Sequence, residues 1–589
     1  MVNAFFTLGM LIFTSTCLAI FYEGMGNPNL LRHPPNAMMY STILLMRGAP
    51  ESMTDTQSGP PNLLPRRRFL AFCMLGALPG VLAACQNTPP VVTQPTPDPR
   101  PSPTPTPSPP TEADWAALAN SLQGSLIRPT SSRYPMAHQL FDPRFDSVQP
   151  MAIAYCASPA DVQHCLAFAH QFGVPLVPRS GGHSYAGYST TTGLVLDVSQ
   201  MNLISVDAQA RTASIGAGAK LIDVYAALAQ DGLALPAGSC PTVGIAGLAL
   251  GGGIGVLGRK FGLTCDNLLA AQVVLADGRL LTCDANHDPD LFWALRGGGG
   301  GNFGVVTSFT FQVHPVSTLT LFTLNWNWGN AVKMVDAWQH WAPQAADELW
   351  SNCLLLSSSN QRAEPLARIN GVYVGGAAAL DGLLQQLTDQ IGAVPTSRYV
   401  SESGLLDAML VEANCEGQTV GECHLPGQTP QGQVPRVTAG AKSDYFTSTL
   451  PRAGIEILVN FIARRQATST LGAGGIGLDA YGGAINRVAA NATAFVHRSA
   501  LFSAQYSANW TVSDSDAIIT ANQQWLADLW QAMRPYASGA AYQNYIDPNL
   551  PDWPQAYYGA NLARLQQVKA AYDPGNFFHF PQAIPTTAG

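Results

Sequence analysis

The chain has 589 residues, which is long for one ordinary domain and indicates two or three. Apolar residues make up 47% of it, enough for a sizeable core, while only 12% are charged and the formal net charge is -8. A chain of this charge offers no basic patch for a run of phosphates, so nucleic acid is not expected as a partner.

Residues 53–85 resemble a twin-arginine export signal. Arg66, Arg67 and Arg68 precede an apolar run, 71–82, that is shorter than the roughly 20 residues of a membrane-spanning helix. The run ends in Leu-Ala-Ala-Cys, which resembles a lipobox with Cys85 as the lipidated residue; a plain structural cysteine is the alternative. We expect export by the twin-arginine route to the periplasm or the extracellular face of the membrane, with membrane contact only through that lipid.

Two further segments flank this signal. Residues 1–52 are interpreted as an extension from a start codon assigned too early, because Met53 would begin a polar leader of ordinary length. Residues 86–112 are rich in proline and threonine and can bury nothing, so they predict an extended linker. Such a linker would hold a folded body away from a membrane surface.

From Trp115 onward the pattern predicts an α+β protein. Apolar runs of strand type, such as 193–197 and 271–275, alternate with helical ones such as 159–172. Glycine clusters at 181–182, 251–253 and 297–301 lie between these runs. Either they are turns or they let the backbone approach a ligand; three within so short a span favour a long phosphate-bearing cofactor.

One glycine motif is a weak match to a nicotinamide-binding site. Residues 253–258 satisfy G-x-G-x-x-G, but the segment before them starts with Cys240-Pro241 and contains further glycines instead of a strand. The nearest acid, Asp266, follows too closely to take a ribose. We therefore reject a Rossmann unit, and with it a reductase that uses a mobile nicotinamide.

Four blocks in fixed order carry a family resemblance. They are R-S-G-G-H-S-Y-A-G-Y-S from Arg179, G-S-C-P-T-V-G-I-A-G-L-A-L-G-G-G-I-G from Gly238, D-L-F-W-A-L-R-G-G-G-G-G-N-F-G-V-V-T from Asp290, and Y-Q-N-Y-I-D-P-N-L from Tyr542 with the Y-Y-G-A-N-L stretch after it. The chain resembles the berberine bridge enzyme-like FAD-linked oxidases, within the superfamily of para-cresol methylhydroxylase (PCMH) and vanillyl-alcohol oxidase, as an exported bacterial member.

The resemblance implies a domain order. Residues 113–148 begin the FAD domain, 149–316 form its PCMH-type part with two α+β subdomains, and 317–538 form a substrate domain with an antiparallel sheet covered by helices. Residues 539–583 would return to the FAD domain. It also implies FAD attached at two points, through His183 to the 8α-methyl carbon and through Cys240 to ring carbon 6.

The residue types suit that attachment, because an imidazole nitrogen and a thiolate are nucleophiles that can add to an electron-poor flavin. The alternatives are a satisfied loop histidine and a small buried cysteine. Arg179 and Ser180 are expected to donate to the pyrophosphate. The other cofactor-binding positions implied by the blocks are Gly181, Gly182, Ser184, Ser189, Val243, Gly244, Gly247, Gly252, Gly253, Gly255, Asn302, Gly304, Val306, Asn544 and Asn576.

The resemblance also implies catalytic and substrate-binding residues. Tyr545 is the expected base, and since a phenol has a pKa near 10, its phenolate would need a cation or a donor such as Tyr185. Asp479 and Tyr481 lie two apart on one face of an expected strand, and with Tyr185 and Gln505 they would contact substrate. Asp479 would bond a hydroxyl or share the base role; a solvated strand-edge acid is the alternative.

The expected activity is oxidation of an alcohol carbon in a sugar, oligosaccharide or other hydroxylated compound, with O2 reduced to H2O2. A small side chain at Val243 would leave oxygen a path, whereas Leu248 replaces a histidine found in many plant relatives. The alternatives are a dehydrogenase with another electron acceptor and a non-catalytic carbohydrate-binding lipoprotein.

The remaining cysteines predict structure rather than chemistry. Cys415 and Cys423, eight positions apart in a polar loop, could form a disulfide. The others lie in apolar runs and are expected to be buried, and no C-x-x-C or H-E-x-x-H cluster supports a metal site. These buried cysteines are Cys156, Cys165, Cys265, Cys283 and Cys353.

Overall fold

The computed structural model describes residues 108–468 and 470–586, so the interpretations of the export signal, Cys85, residues 1–52 and most of the linker lie outside it. Its strands are β1 Ser125–Ile127, β2 Ala152–Tyr155, β3 Leu176–Arg179, β4 Leu194–Asp197, β5 Ile204–Asp207, β6 Thr212–Gly216, β7 Leu233–Ala234, β8 Leu268–Val274, β9 Leu280–Asp284, β10 Val305–Gln312, β11 His314–Pro315, β12 Leu319–Trp326, β13 Leu349–Ser357, β14 Leu366–Val374, β15 Ser397–Ser403, β16 Thr438–Phe446, β17 Gly474–Ala480 and β18 Phe502–Trp510.

Helices alternate with these strands along the described residues. They are α1 Glu112–Ser121, α2 Tyr134–Ala137, α3 Pro159–Phe172, α4 Leu221–Ala229, α5 Ile245–Leu250, α6 Gly258–Phe261, α7 Pro289–Ala294, α8 Ala331–Trp341, α9 Ala377–Ile391, α10 Leu405–Glu412, α11 Arg452–Gln466, α12 Gly483–Arg487, α13 Asp516–Met533, α14 Trp553–Tyr558 and α15 Leu562–Tyr572.

The FAD-domain region contains two larger sheets. The first has the order β1-β2-β4-β3, in which β2, β4 and β3 are parallel, and α3 connects β2 to β3. The second, β5-β6-β10-β8-β9, is antiparallel throughout. Helix α3 begins after Ser158, whose hydroxyl accepts from Asp161 N, and ends at Gly173 with φ 62. The predicted α+β class is confirmed, with one subdomain built on each sheet.

The region after 316 forms a seven-stranded antiparallel sheet with the order β15-β12-β14-β13-β17-β18-β16. Alternate residues of a strand face opposite sides. Cys353 and Leu355 of β13 therefore pack with α8, α11 and α13, whereas Trp350 packs with the FAD-domain core. The helices cover one face of the sheet, so the other face forms a roof over the FAD domain.

The C-terminal segment joins these two regions. The backbone N of Tyr542 donates to Ser443 of the roof, while the Gln543 side chain donates to Gly251 O and the Asn544 side chain to Leu248 O. Beyond α15, the buried Lys569 ammonium donates to Asn302 O. The segment therefore does return to the FAD domain, as the resemblance implies.

Several smaller expectations can be compared with the structure. Residues 253–258 follow α5 and precede the four-residue α6, so no strand enters that motif. A disulfide joins Cys415 to Cys423, with Cα atoms 5.8 Å apart, and the five other cysteines named above are buried thiols, so both predictions are confirmed. Within the described ranges we find no helix suited to crossing a membrane and no grouping of side chains suited to a metal ion.

Candidate active site

A cavity of about 350 Å³ lies between the FAD-domain loops, the roof and the C-terminal segment. It brings together residues that are hundreds of positions apart in the sequence. The expected site residues that line it are Arg179, Ser180, Gly181, Gly182, His183, Ser184, Tyr185, Ser189, Cys240, Val243, Gly244, Gly247, Gly255, Gly304, Val306, Asp479, Gln505, Asn544 and Tyr545.

Two expected cofactor glycines lie outside the cavity lining. Gly252 has φ 123 and packs against Phe495, where an added Cβ would come within 2.8 Å of the ring. Gly253 donates its backbone N–H to the Tyr542 hydroxyl, and an added Cβ would meet Thr264. Packing between loops requires glycine at both positions, and their expected role at the pyrophosphate stays a prediction.

Three polar residues are also placed away from the cavity. The Asn302 side chain donates to Gly298 O and accepts from Ile584 N, so it holds the chain end. Asn576 is exposed, with φ 48, in the turn after α15. Tyr481 is fully buried between the roof and the C-terminal segment, where it packs in one cluster with Tyr542 and Tyr545, and its hydroxyl lies 3.0 Å from that of Tyr445. None of the three lines the cavity, so their expected contacts with cofactor or substrate stay predictions.

Arg179 lines the cavity, and two of its three guanidinium nitrogens are paired, while Nη1 has no hydrogen-bond partner among the described residues. Nε donates to Asp197 at 2.5 Å and Nη2 donates to Ala137 O at 2.8 Å. The Ser180 hydroxyl likewise donates to Ala217 O at 2.7 Å. These two side chains therefore brace the loop that carries His183, and their expected role as donors to a pyrophosphate stays a prediction.

The contacts around His183 orient its ring and influence its charge. Its ring stacks on Phe141, with centroids 4.1 Å apart, and Nε2 lies 2.8 Å from Thr242 Oγ1. Burial, with the positive charge of Lys220 as a smaller cause, lowers the pKa of His183 to about 3. The imidazole is therefore neutral near pH 7 and keeps the lone pair that attack on a flavin requires.

The loop of His183 is packed tightly against the loop of Cys240. A Cβ added at Gly181 would lie 2.2 Å from Gly244 N, so only glycine permits this approach. Leu221 N donates to Val243 O, which fixes the second loop to the start of α4. Cys240 itself lines the cavity on this second loop.

The remaining glycines test whether a phosphate-bearing cofactor fits. At Gly247 an added Cβ would meet no atom within 4 Å, and at Gly300 the nearest atoms are 3.9 Å away. Both residues line the cavity. Side chains at these positions would project into the cavity, so the glycines keep space and expose backbone along one wall. The residues present fit FAD.

The roof side carries the expected catalytic groups. Asp479 on β17 lies opposite Asn352, and Gln505 on β18 lies opposite Gly477, so both side chains face the cavity. The Gln505 amide donates to the Tyr185 hydroxyl at 3.0 Å. Within the described part of the chain the Tyr545 hydroxyl has no hydrogen-bond partner, which leaves it available to a substrate.

The environment opposes ionisation of both tyrosines. Burial raises the pKa of Tyr185 to about 12, although the bond from Gln505 acts in the opposite direction. Burial, followed by the negative charge of Asp479, raises the pKa of Tyr545 well above its usual value. The main influences on the pKa of Tyr545 among the described residues are burial, Asp479 and neighbouring tyrosines, and all of them disfavour its phenolate.

Three residues of this site were not identified from the sequence. Thr242 lay inside a quoted motif and its hydroxyl could have been noticed, whereas Phe141 lies before the first block. Lys220 was the least visible, because a single lysine before an apolar helix is usually exposed, yet here it is buried and donates to Ser180 O.

Comparison with known proteins identifies the family. A family model described as an FAD binding domain matches residues 150–284, and one described as berberine and berberine-like matches residues 541–585. The FAD-linked oxidoreductase YgaK of Bacillus subtilis is 36% identical over 443 residues, covering 74% of this chain and 91% of that protein.

Solved structures agree with this assignment. BBE-like 1 of Physcomitrella patens has a TM-score of 0.73 and 34% identity, covering 81% of this chain and 99% of the other. A chitooligosaccharide oxidase has a TM-score of 0.72 and 28% identity, covering 81% and 100%. Two variants of Phl p 4, described as a glucose dehydrogenase and a glucose oxidase, both have TM-scores of 0.72, and the oxidase carries an additional isoleucine-to-valine change. The chain is therefore a berberine bridge enzyme-like FAD-dependent oxidoreductase, as the sequence blocks predicted.

Proposed function

We propose that the protein is an oxidase that converts an alcohol carbon of a sugar, oligosaccharide or other hydroxylated compound to a carbonyl while O2 becomes H2O2. The observation that carries this proposal is the free hydroxyl of Tyr545 in the same cavity as a neutral His183. Relatives described as acting on chitooligosaccharides and glucose support the substrate class. FAD, when bound, supplies the hydride acceptor.

His183 would hold the cofactor covalently. Its neutral ring, its stacking on Phe141 and its contact with Thr242 keep a nucleophilic nitrogen in a fixed orientation. Cys240, in the loop packed against that of His183, would form the second attachment. Two attachments would allow an active site wide enough for a bulky substrate, because the cofactor could not diffuse away.

Tyr545 would accept the hydroxyl proton as the alcohol is oxidised. Tyr185 and Gln505, joined by their hydrogen bond, would orient the substrate hydroxyl on the adjacent side. Asp479 would bond the substrate or share the base role. Burial and then the charge of Asp479 raise the pKa of Tyr545, so only its minor phenolate fraction would accept the alcohol proton, and that fraction grows as pH rises. The chain's own residues thus bind, orient and deprotonate the alcohol.

Val243 supports an oxidase over a dehydrogenase. Its side chain lines the cavity, in the tightly packed loop beside His183. In Phl p 4 an isoleucine-to-valine change separates the variant described as an oxidase from the one described as a dehydrogenase. The resemblance assigns Val243 to a position where a small side chain leaves oxygen a path.

The decisive test combines cofactor retention with product formation. The purified protein is precipitated with acid, and we expect the yellow colour to stay in the pellet, whereas His183→Ala with Cys240→Ala should release it. Peroxide is then measured across monosaccharides, oligosaccharides and aryl alcohols. Turnover with an artificial electron acceptor but not with O2 would identify a dehydrogenase, and no flavin reduction by any compound would favour a binding protein.

A further inference from the structure

Three buried charged residues lie directly behind the loop that carries His183. Arg179 ends β3 and Asp197 ends β4, and their side chains form an ion pair with 4% and 6% exposure. Lys220, immediately before α4, is 7% exposed, and its ammonium donates to Ser180 O at 2.8 Å. We refer to Arg179, Asp197 and Lys220 as the buried charge cluster.

The buried charge cluster contains two cations and one carboxylate. The second oxygen of Asp197 accepts from Ser199 N, so within the cluster one carboxylate faces two cations. Asp223 also acts on Lys220, but its carboxylate is 37% exposed and contacts His424. An excess buried positive charge is costly unless an anion approaches it. Consistent with that cost, burial lowers the pKa of Lys220.

The position of the cluster indicates which anion that would be. β3 and β4 are adjacent parallel strands, and ligands of such sheets bind beyond the carboxyl ends of the strands, where Arg179 and Asp197 are located. Ser180 to His183, the next residues of the chain, line the cavity, whereas Lys220 does not. The excess charge therefore lies at the cofactor wall of the cavity, away from the roof that faces the substrate.

Lys220 also connects the two loops expected to hold the flavin. Its side chain bonds the His183 loop at Ser180 O, while its backbone pairs with Gly244 of the Cys240 loop. Leu221 N and Ile222 N donate to Val243 O and Pro241 O of that loop. One short segment thus sets the spacing between both loops.

We propose that the buried charge cluster is the counter-charge for the diphosphate of bound FAD, and that Lys220 is a positioning residue that fixes the His183 loop beneath it. This inference rests on the proposed location of FAD against that loop. Lys220 acts through the Ser180 carbonyl and through its charge, without touching the cofactor. Arg179 contributes charge while remaining paired with Asp197.

The test measures reversible flavin binding in a host that carries both His183→Ala and Cys240→Ala, where neither proposed attachment can form. Lys220→Met should weaken FAD binding at least about tenfold, because one unit charge is removed from a poorly solvated site. Riboflavin, which has no phosphate, should bind within about twofold of the host value, since only the diphosphate interaction is lost. FMN should show an intermediate loss.

Matched variants separate charge from structure. Lys220→Arg should keep FAD affinity, while Lys220→Gln, which can still donate to Ser180 O, should lose it. Lys333→Met, at an exposed lysine of α8, controls for the substitution itself. Equal weakening of FAD and riboflavin, or unchanged FAD affinity in Lys220→Gln, would overturn the proposal. A host that binds neither flavin would instead refute the location of FAD.

Discussion

The rings of Tyr185 and Tyr545 lie parallel, with centroids 5.7 Å apart and planes inclined by 8°. The two hydroxyls are nevertheless in different situations. Tyr185 accepts a hydrogen bond from Gln505, whereas Tyr545 also stacks edge-on against Tyr542 and keeps its hydroxyl unbonded among the described residues. One tyrosine is thereby fixed as an orienting group and its neighbour is left to react.

Removing the Tyr545 hydroxyl should reduce the rate of substrate oxidation. Tyr545→Phe keeps the stacked ring, so we expect kcat to fall about 10²–10⁴-fold with little change in flavin content. Stopped-flow measurement of anaerobic flavin reduction checks this. Tyr185→Phe is the matched control and should act mainly on KM. Retention of more than a tenth of the wild-type rate by Tyr545→Phe would remove this residue from the base role.

The pH dependence should distinguish Tyr545 from Asp479 as the base. Because the pKa of Tyr545 is raised, its deprotonated fraction and the oxidation rate should increase with pH throughout the range of stability. Asp479→Asn removes a negative charge, so it should lower the pKa of Tyr545 and move the rising limb to lower pH. A large rate loss at every pH without that displacement would assign the proton transfer to Asp479.

Enlarging Val243 should affect the oxygen reaction selectively. Val243→Ile adds one methylene beside the proposed flavin site and should slow reaction of the reduced enzyme with O2 about tenfold or more. Anaerobic reduction by substrate should change much less. Val437→Ile adds the same group elsewhere in the cavity and controls for volume. If both half-reactions slow equally in Val243→Ile, the residue does not control oxygen access.

The disulfide between Cys415 and Cys423 should stabilise the loop next to the cavity. Both cysteines pack with Val434, which lines the cavity. Closing so short a loop contributes about 2–3 kcal/mol to the free energy of unfolding on the chain-entropy estimate. Cys415→Ala, Cys423→Ala and the double variant should therefore lose similar stability in chemical denaturation. Additive losses from the single variants would show that packing dominates.

His497 should make the protein less stable in mild acid. Burial lowers its pKa to about 3, so below about pH 6.5 the unfolded chain binds a proton that the folded chain excludes. Stability is lost as pH falls through that window, by about 2 kcal/mol from this residue between pH 6.5 and 5.

His497→Phe is the control, since it keeps the ring that stacks on Tyr445. Denaturation curves at several pH values should show a smaller acid loss in this variant, with the remainder coming from groups such as His183. Parallel pH dependence of the two proteins would contradict a neutral buried His497.

Site residues that follow one another in the chain could be predicted from the sequence, whereas residues brought to the site from distant segments could not. Gly181, Gly182 and His183 occur together, so the loop that contains them could be recognised before its fold was known. Lys220 and Phe141 could not, because their contact with that loop depends on packing between distant segments. The roof strand containing Asp479 was anticipated, yet Tyr481 was misplaced since β17 ends at Ala480 and the next side chain turns toward Tyr445.

Asn302, Gly252 and Gly253 show that a recognised motif does not reveal the contacts of each of its residues. Their motifs are those of a cofactor-binding chain, but residue type does not reveal whether a glycine faces a ligand or another loop. Phe495 lies beside Gly252 and Thr264 lies beside Gly253. Both side chains come from outside the sequence block that contains the two glycines. Only the three-dimensional packing separates the two roles.

Arg259 at α6 limits how the protein can move during turnover. Its guanidinium is 1% exposed and donates to Leu349 O, Pro343 O, Ala345 O and Tyr481 O, all beyond residue 316. Separating the roof from the FAD domain would strip a buried cation of all these acceptors, which is costly. We therefore expect the roof and the FAD domain to stay joined at Arg259 while substrate binds and product leaves.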